Sequence, residues 1–136
     1  MMIGVALFVA LAALQDVLPP VRSLDKGTRS EIVVARQVTI RDQDAWTALW
    51  QEHAASRPRP AVDFSSEMVV GVFLGTRPTA GYAAEIVGYR GADSDVVIQY
   101  RESAPPRGAI TAQVLTSPFH LVVVPRRTGT VTFEKL

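Results

Sequence analysis

Two histidines, a few serines and a scatter of carboxylates are what this chain offers for chemistry, because it has no cysteine. His53 and His120 lie far apart in sequence, and neither belongs to an H-x-x-x-H or H-E-x-x-H spacing that would bring two imidazoles to one zinc ion. His53 falls on an aromatic helical stripe and His120 in an apolar run, so each reads as a packed, hydrogen-bonded histidine. Nucleophilic hydrolysis needs a serine on a strained turn beside a base, as in G-x-S-x-G. Ser65-Ser66 sit in a polar stretch and Ser117 precedes Pro118, neither in such a setting. Asp63 and Glu67 could work as an acid–base pair only if burial pushed their pKa values apart, and a cap or an ion pair is the simpler role. Thiolate chemistry is excluded outright. These residues lead to the expectation of no catalytic residue, no metal site and no cofactor.

The elements that must hold these residues follow from periodicity. EIVVARQVTI, Glu31–Ile40, is β-branched and reads as a first strand. Asp42 stands where an N-cap belongs, and Trp46, Leu49, Trp50 and His53 then recur along one stripe of a helix ending near Ala55. RPRPAVDFSS is a proline-stiffened connection. From Glu67 the pattern changes to strands. MVVGVFL and FHLVVV are continuously apolar, as strands buried on both faces are. YAAEIVGYR, DVVIQYR and TGTVTFEKL alternate, AITAQVL reads as a weaker strand, and Gly91 to Ser94 form a hairpin-like turn. The fold class expected is α+β, mostly β: antiparallel sheets of about six to seven strands with one helix packed on a face.

Between two of those strands stands GTRPTAGY, Gly75 to Tyr82, longer than a simple hairpin needs. Gly75 and Gly81 can take positive φ and swing the chain out of a sheet and back. Pro78 stiffens the middle and biases Arg77 towards an extended conformation. The stretch reads either as a turn shaped for folding alone or as a preformed recognition loop. In the second reading Thr76, Arg77 and Thr79 stand at the tip and Tyr82 marks re-entry. A rigid loop loses less entropy on binding, and arginine and tyrosine are common contact anchors. Thr76, Arg77, Pro78, Thr79 and Tyr82 are therefore the candidate partner-binding residues. No phosphate cradle is expected, because these glycines open onto a strand rather than a helix.

With 136 residues the chain suits a single domain, here residues 30–136, preceded by a polar segment over 13–29. Fourteen basic and 13 acidic residues leave a formal charge of +1, too little for a nucleic-acid partner. Residues 1–12 lie within an uncharged apolar run, too short to span a bilayer comfortably. The run fits a secretory signal, with Ala10-Leu11-Ala12 as a small-x-small cleavage pattern, although no Lys or Arg precedes it. Signal peptide and uncleaved signal anchor both remain open. Either implies an extracytoplasmic location, with membrane contact only through an uncleaved anchor.

The span from DFSSEMVVGVFLGTRPTAGY to LTSPFHLVVVP resembles the C-terminal domain of the PrcB family, named for a subunit of a surface protease complex. Gly75, Arg77, Thr79, Gly81 and Tyr82 match its turn, and Thr116, Pro118, Phe119 and Leu121–Val124 match its later strand. The resemblance implies a non-catalytic, exported domain that associates with a protein partner such as a protease subunit. Members are often lipid-anchored, and this chain has no cysteine to carry the lipid. More loosely, RPTAGY is similar to the first loop of chagasin-like protease inhibitors, with Arg77 where those carry asparagine. The function expected is an accessory binding domain; the alternative is a protease inhibitor using the Thr76–Tyr82 loop. A sheet face that holds a small ligand is a third reading.

Overall fold

The computed structural model describes residues 21–136. Seven strands and one helix follow in the order β1 (Arg22–Gly27), β2 (Arg36–Ile40), α1 (Gln43–Ala54), β3 (Glu67–Phe73), β4 (Ala83–Ala92), β5 (Asp95–Ser103), β6 (Phe119–Pro125) and β7 (Val131–Lys135). They make a four-stranded sheet, β1-β6-β3-β2, and a three-stranded sheet, β4-β5-β7. Every pairing is antiparallel except β5 with β7. The expected α+β, mostly β class holds.

β3 and β6 are the middle of the molecule, and their continuous apolarity has a direct cause. One face of β3 gives Val69 and Phe73 to a core shared with Trp46, Leu49 and Trp50 of α1. Its other face gives Met68, Val70 and Val72 to a second core shared with Ala84, Ile86, Tyr89, Val96 and Ile98. The larger sheet is thus covered by the helix on one side and by the smaller sheet on the other. Each buried aliphatic side chain contributes roughly 1.5–3 kcal/mol.

α1 starts where the sequence places it. The Asp42 carboxylate accepts the Ala45 amide at 2.8 Å, satisfying one of the free N–H groups of the first turn. Trp46 and Trp50 anchor the helix and also fasten the proline-rich connection. Their indole N–H groups donate to the carbonyls of Pro60 and Arg57 at 2.9 and 2.8 Å.

Three local expectations are corrected. The polar RSLDKG, placed in the N-terminal segment, is β1, an edge strand. Its bulge between Ser23 and Asp25 lets Leu24 pack towards the helix while Asp25 reaches the helix too. Only Arg36–Ile40 of the expected first strand is extended sheet. AITAQVL pairs with no strand among the described residues and is largely exposed. Residues 1–12, the expected leader, lie outside the described residues. Among those described, no helix is long and apolar enough to cross a membrane.

Candidate functional site

The loop Gly75–Tyr82 leaves β3 and enters β4. Gly75 and Gly81 both take the left-handed backbone that the sequence requires of them, at φ 78° and 99°. A Cβ at Gly75 would lie 2.8 Å from the Ala35 nitrogen, so the position is closed sterically as well. The loop is clamped on both flanks. On one side the Thr76 amide donates to the Val33 carbonyl at 3.1 Å. On the other, Arg77 and Thr116 exchange both backbone hydrogen bonds at 2.7 and 2.9 Å, and the Ala80 amide donates to Ala112. The Thr116 hydroxyl donates to the Thr79 carbonyl at 3.0 Å.

Arg77 does not stand at a protruding tip. Its guanidinium folds back to donate to the Leu74 carbonyl at 2.8 Å and to Glu102 of β5 at 2.7 Å. It also lies 5.8 Å from the centre of the Tyr82 ring, an arrangement that attracts a cation to the aromatic face. The hydrogen bond from Arg77, aided by Lys135, holds the Glu102 carboxyl below its usual range. Of the candidate residues, Thr76 and Pro78 are exposed, while Arg77, Thr79 and Tyr82 are half-buried. Beneath the loop, Arg36, Gln37, Leu74, Arg77, Tyr100 and Glu102 line a cleft of about 370 Å³.

Large apolar side chains in the open gather beside this loop. Val33 and Val34 flank it on one side, 55% and 71% exposed. Ile110, Val114 and Leu115 lie along the segment that flanks the other.

Sequence reasoning missed a second cluster. The Ser30 hydroxyl is 2.7 Å from His53 Nδ1, and His53 Nε2 is 2.8 Å from the Asp25 carboxylate. Arg57 donates to the same carboxylate at 2.7 Å. The carboxylate assigns the ring proton to Nε2, so Nδ1 accepts from Ser30. Serine, histidine and aspartate are thereby connected as in a hydrolase triad. Their surroundings differ from one. Ser30 and His53 are buried, and the Ser30 oxygen already accepts the Ile32 amide at 3.0 Å. The Ser30 and Glu31 amides donate to the carbonyls of Ser117 and His53, leaving none of these N–H groups to meet an oxyanion. Burial outweighs the attraction of Asp25 and pushes the His53 pKa down. Burial alone would raise Asp25, but hydrogen bonds from Arg57 and His53 prevail and lower it. The chain of bonds pins β1 and the Ser30 turn to α1. Asp25 and Ser30 carry no sequence signal for it, since they lie 28 and 23 residues from His53.

The remaining candidates have separate partners. Asp63 accepts hydrogen bonds from the Ser65 amide and hydroxyl and the Ser66 hydroxyl, which hold its carboxyl low. Glu67 pairs with Arg22 at 3.1 Å. His120 sits between the two sheets: its Nδ1 accepts the Ile86 amide and its Nε2 meets the Ser23 hydroxyl. Among the described residues, no three ligating side chains converge on a metal position.

Order ties these pieces together: a buried strand, the glycine-bracketed loop, a hairpin, then Thr116–Pro118 returning to pair with the loop and leading into β6. Residues 68–125 match the PrcB C-terminal family. The PrcB match begins in β3 and ends with β6, so it encloses the loop, the β4–β5 hairpin and the segment that clamps the loop. β1, β2 and α1 precede it. No curated protein and no solved structure matches the chain. The looser likeness of RPTAGY to chagasin-like inhibitors gains no support from these comparisons.

Proposed function

We propose that this PrcB-like chain is a non-catalytic accessory domain that holds a protein partner outside the cytoplasm, the partner being a protease subunit. One observation carries the contact site. The backbone of the Thr76–Tyr82 loop is fastened on both flanks, which holds exposed Thr76 and Pro78 beside exposed Val33 and Val34. A fixed, partly apolar surface loses little entropy on docking. Arg77, Thr79 and Tyr82 belong to the same site, Arg77 and Tyr82 by shaping the loop from beneath. The PrcB match favours association with a protease complex. The extracytoplasmic location rests on the apolar run that includes residues 1–12. The reading as non-catalytic rests on the Ser30 cluster, whose polar groups serve one another.

The test is affinity capture from secreted and envelope fractions of the source cells. Wild type is compared with a variant carrying Thr76→Lys, Pro78→Ala and Val34→Lys, all exposed positions that leave the clamp intact. A protease subunit retained by wild type and lost by the variant is the expected result. Equal retention by both would place the contact elsewhere. An activity assay on the captured protease separates a helper from an inhibitor.

A further inference from the structure

The first flank of the loop is the segment from Ile32 to Ala35. Among the described residues it joins no strand. Two main-chain groups anchor it: the Ile32 amide donates to the Ser30 hydroxyl at 3.0 Å, and the Val33 carbonyl accepts the Thr76 amide at 3.1 Å. Its backbone also lies directly against Gly75, where a Cβ would meet the Ala35 nitrogen, the Val33 oxygen and the Val34 carbonyl carbon. The exposed side chains of Val33 and Val34 therefore stand where the Ser30 turn puts them.

Ser30 is placed in turn by His53. The Ser30 hydroxyl donates to His53 Nδ1 at 2.7 Å while its oxygen accepts the Ile32 amide. Nδ1 can accept only while the ring proton sits on Nε2, and the Asp25 carboxylate holds it there, itself fixed by Arg57. Aromatic rings confine the imidazole. Trp50, Phe73 and Phe119 meet it edge-on, with centres 5.1, 5.5 and 4.3 Å away. Phe73 closes β3 just before Gly75, and Phe119 opens β6 just after the segment that clamps the loop. One buried imidazole thus touches the strand that enters the loop, the strand that follows its clamp, and the turn that forms its first flank.

We propose that His53, oriented by Asp25, is a positioning residue for the contact surface. Through Ser30 and Ile32 it sets the Val33 carbonyl, and with it the place of Val33, Val34 and Thr76 against a partner. The coupling runs through contiguous hydrogen bonds, and Ser30 and His53 are buried, where a lost partner costs more than in water. The second flank has anchors of its own. Arg77 with Thr116, and Ala80 with Ala112, make no use of the Ser30 hydroxyl. The inference rests on the reading of this loop and Val33–Val34 as the contact. Its test needs no partner, so its failure is separate from a failure of capture.

Residue-resolved hydrogen–deuterium exchange of the full chain compares wild type with Ser30→Ala, Ser30→Thr and Asp25→Asn, and circular dichroism checks that each is folded. Ser30→Ala should speed exchange at Ile32 and Thr76 at least about tenfold, while Arg77, Ala80 and Thr116 stay within about twofold of wild type. Ser30→Thr keeps the hydroxyl and should restore protection at Thr76. Packing alone predicts the reverse, because alanine fits the space of serine and threonine overfills it. In Asp25→Asn the amide can donate to Nε2 and shift the ring proton to Nδ1, which deprives Ser30 of its acceptor. Thr76 should exchange faster there too. Thr76 protection unchanged by Ser30→Ala, or lost equally on both flanks, overturns the proposal. So does a Ser30→Thr variant that exchanges like the alanine one, or an Asp25→Asn variant that leaves Thr76 at the wild-type rate.

Discussion

His120 Nδ1 accepts the backbone N–H of Ile86 at 2.8 Å, so one imidazole in β6 joins the larger sheet to the smaller. That nitrogen can accept only while it is unprotonated. Burial, with the nearby Lys26 cation, pushes the His120 pKa down to about 4.

The pH dependence of stability follows. A histidine depressed on folding contributes most above its unfolded pKa, near 6.5, and that contribution is lost as pH falls towards the folded value. From pH 7 to pH 5 the wild type should lose about 2 kcal/mol through His120, in a range where carboxylates stay largely ionised in both states. His53, also depressed by burial, adds to the loss in the same direction. Urea midpoints measured at both pH values check this. His120→Gln should remove most of the His120 part of the slope; an unchanged slope would assign it to other groups.

Arg77 and Glu102 should be coupled. The pair is 27% and 22% exposed, so the coupling is modest, about 1 kcal/mol in a double-mutant cycle of alanine variants. Arg77→Lys should recover little of it. A lysine ammonium cannot serve the Leu74 carbonyl, the Glu102 carboxylate and the Tyr82 face in the planar geometry of a guanidinium. A coupling indistinguishable from zero would mean that the bridge contributes nothing to the fold.

Ser30→Ala should cost about 1–3 kcal/mol by leaving the buried His53 Nδ1 without a donor and the Ile32 amide without an acceptor. Chemical denaturation reads that loss. The same variant tests the non-catalytic reading. Wild type and variant should both hydrolyse p-nitrophenyl acetate at the buffer rate. Hydrolysis that depends on Ser30 would make the serine–histidine–aspartate chain a working triad.

Trp46→Ala should cost about 3–5 kcal/mol, since the side chain is wholly buried and its indole holds the Pro60 carbonyl. Loss of that hydrogen bond should also free the proline-rich connection. Faster amide exchange at Val62 and nearby positions, measured by hydrogen–deuterium exchange, would report it. Protection equal to wild type would show that the connection is held by Trp50 and its Arg57 contact alone.

What the sequence determined by itself is whatever depends on neighbours within a turn or a strand. Asp42, Trp46, Leu49, Trp50 and His53 spelled out α1 because a helix repeats every few residues and caps itself locally. The apolar runs of β3 and β6 announced burial on both faces. Gly75 and Gly81 announced positive φ, since few other residues tolerate it. Tertiary structure decided whatever depends on distant pairing. RSLDKG is polar and reads as a loop, yet it forms β1 because β6 presents an open edge to it. AITAQVL has the composition of a strand, yet among the described residues it meets the loop, through Ala80, and joins no sheet. Arg77 found Glu102 across 25 residues, and His53 gathered Asp25 and Ser30 from two separate segments, with Arg57 closing on the same Asp25 carboxylate. Local periodicity records which face of an element is apolar. The partner that covers each face, and the atom that satisfies each buried polar group, are set only when the sheets close.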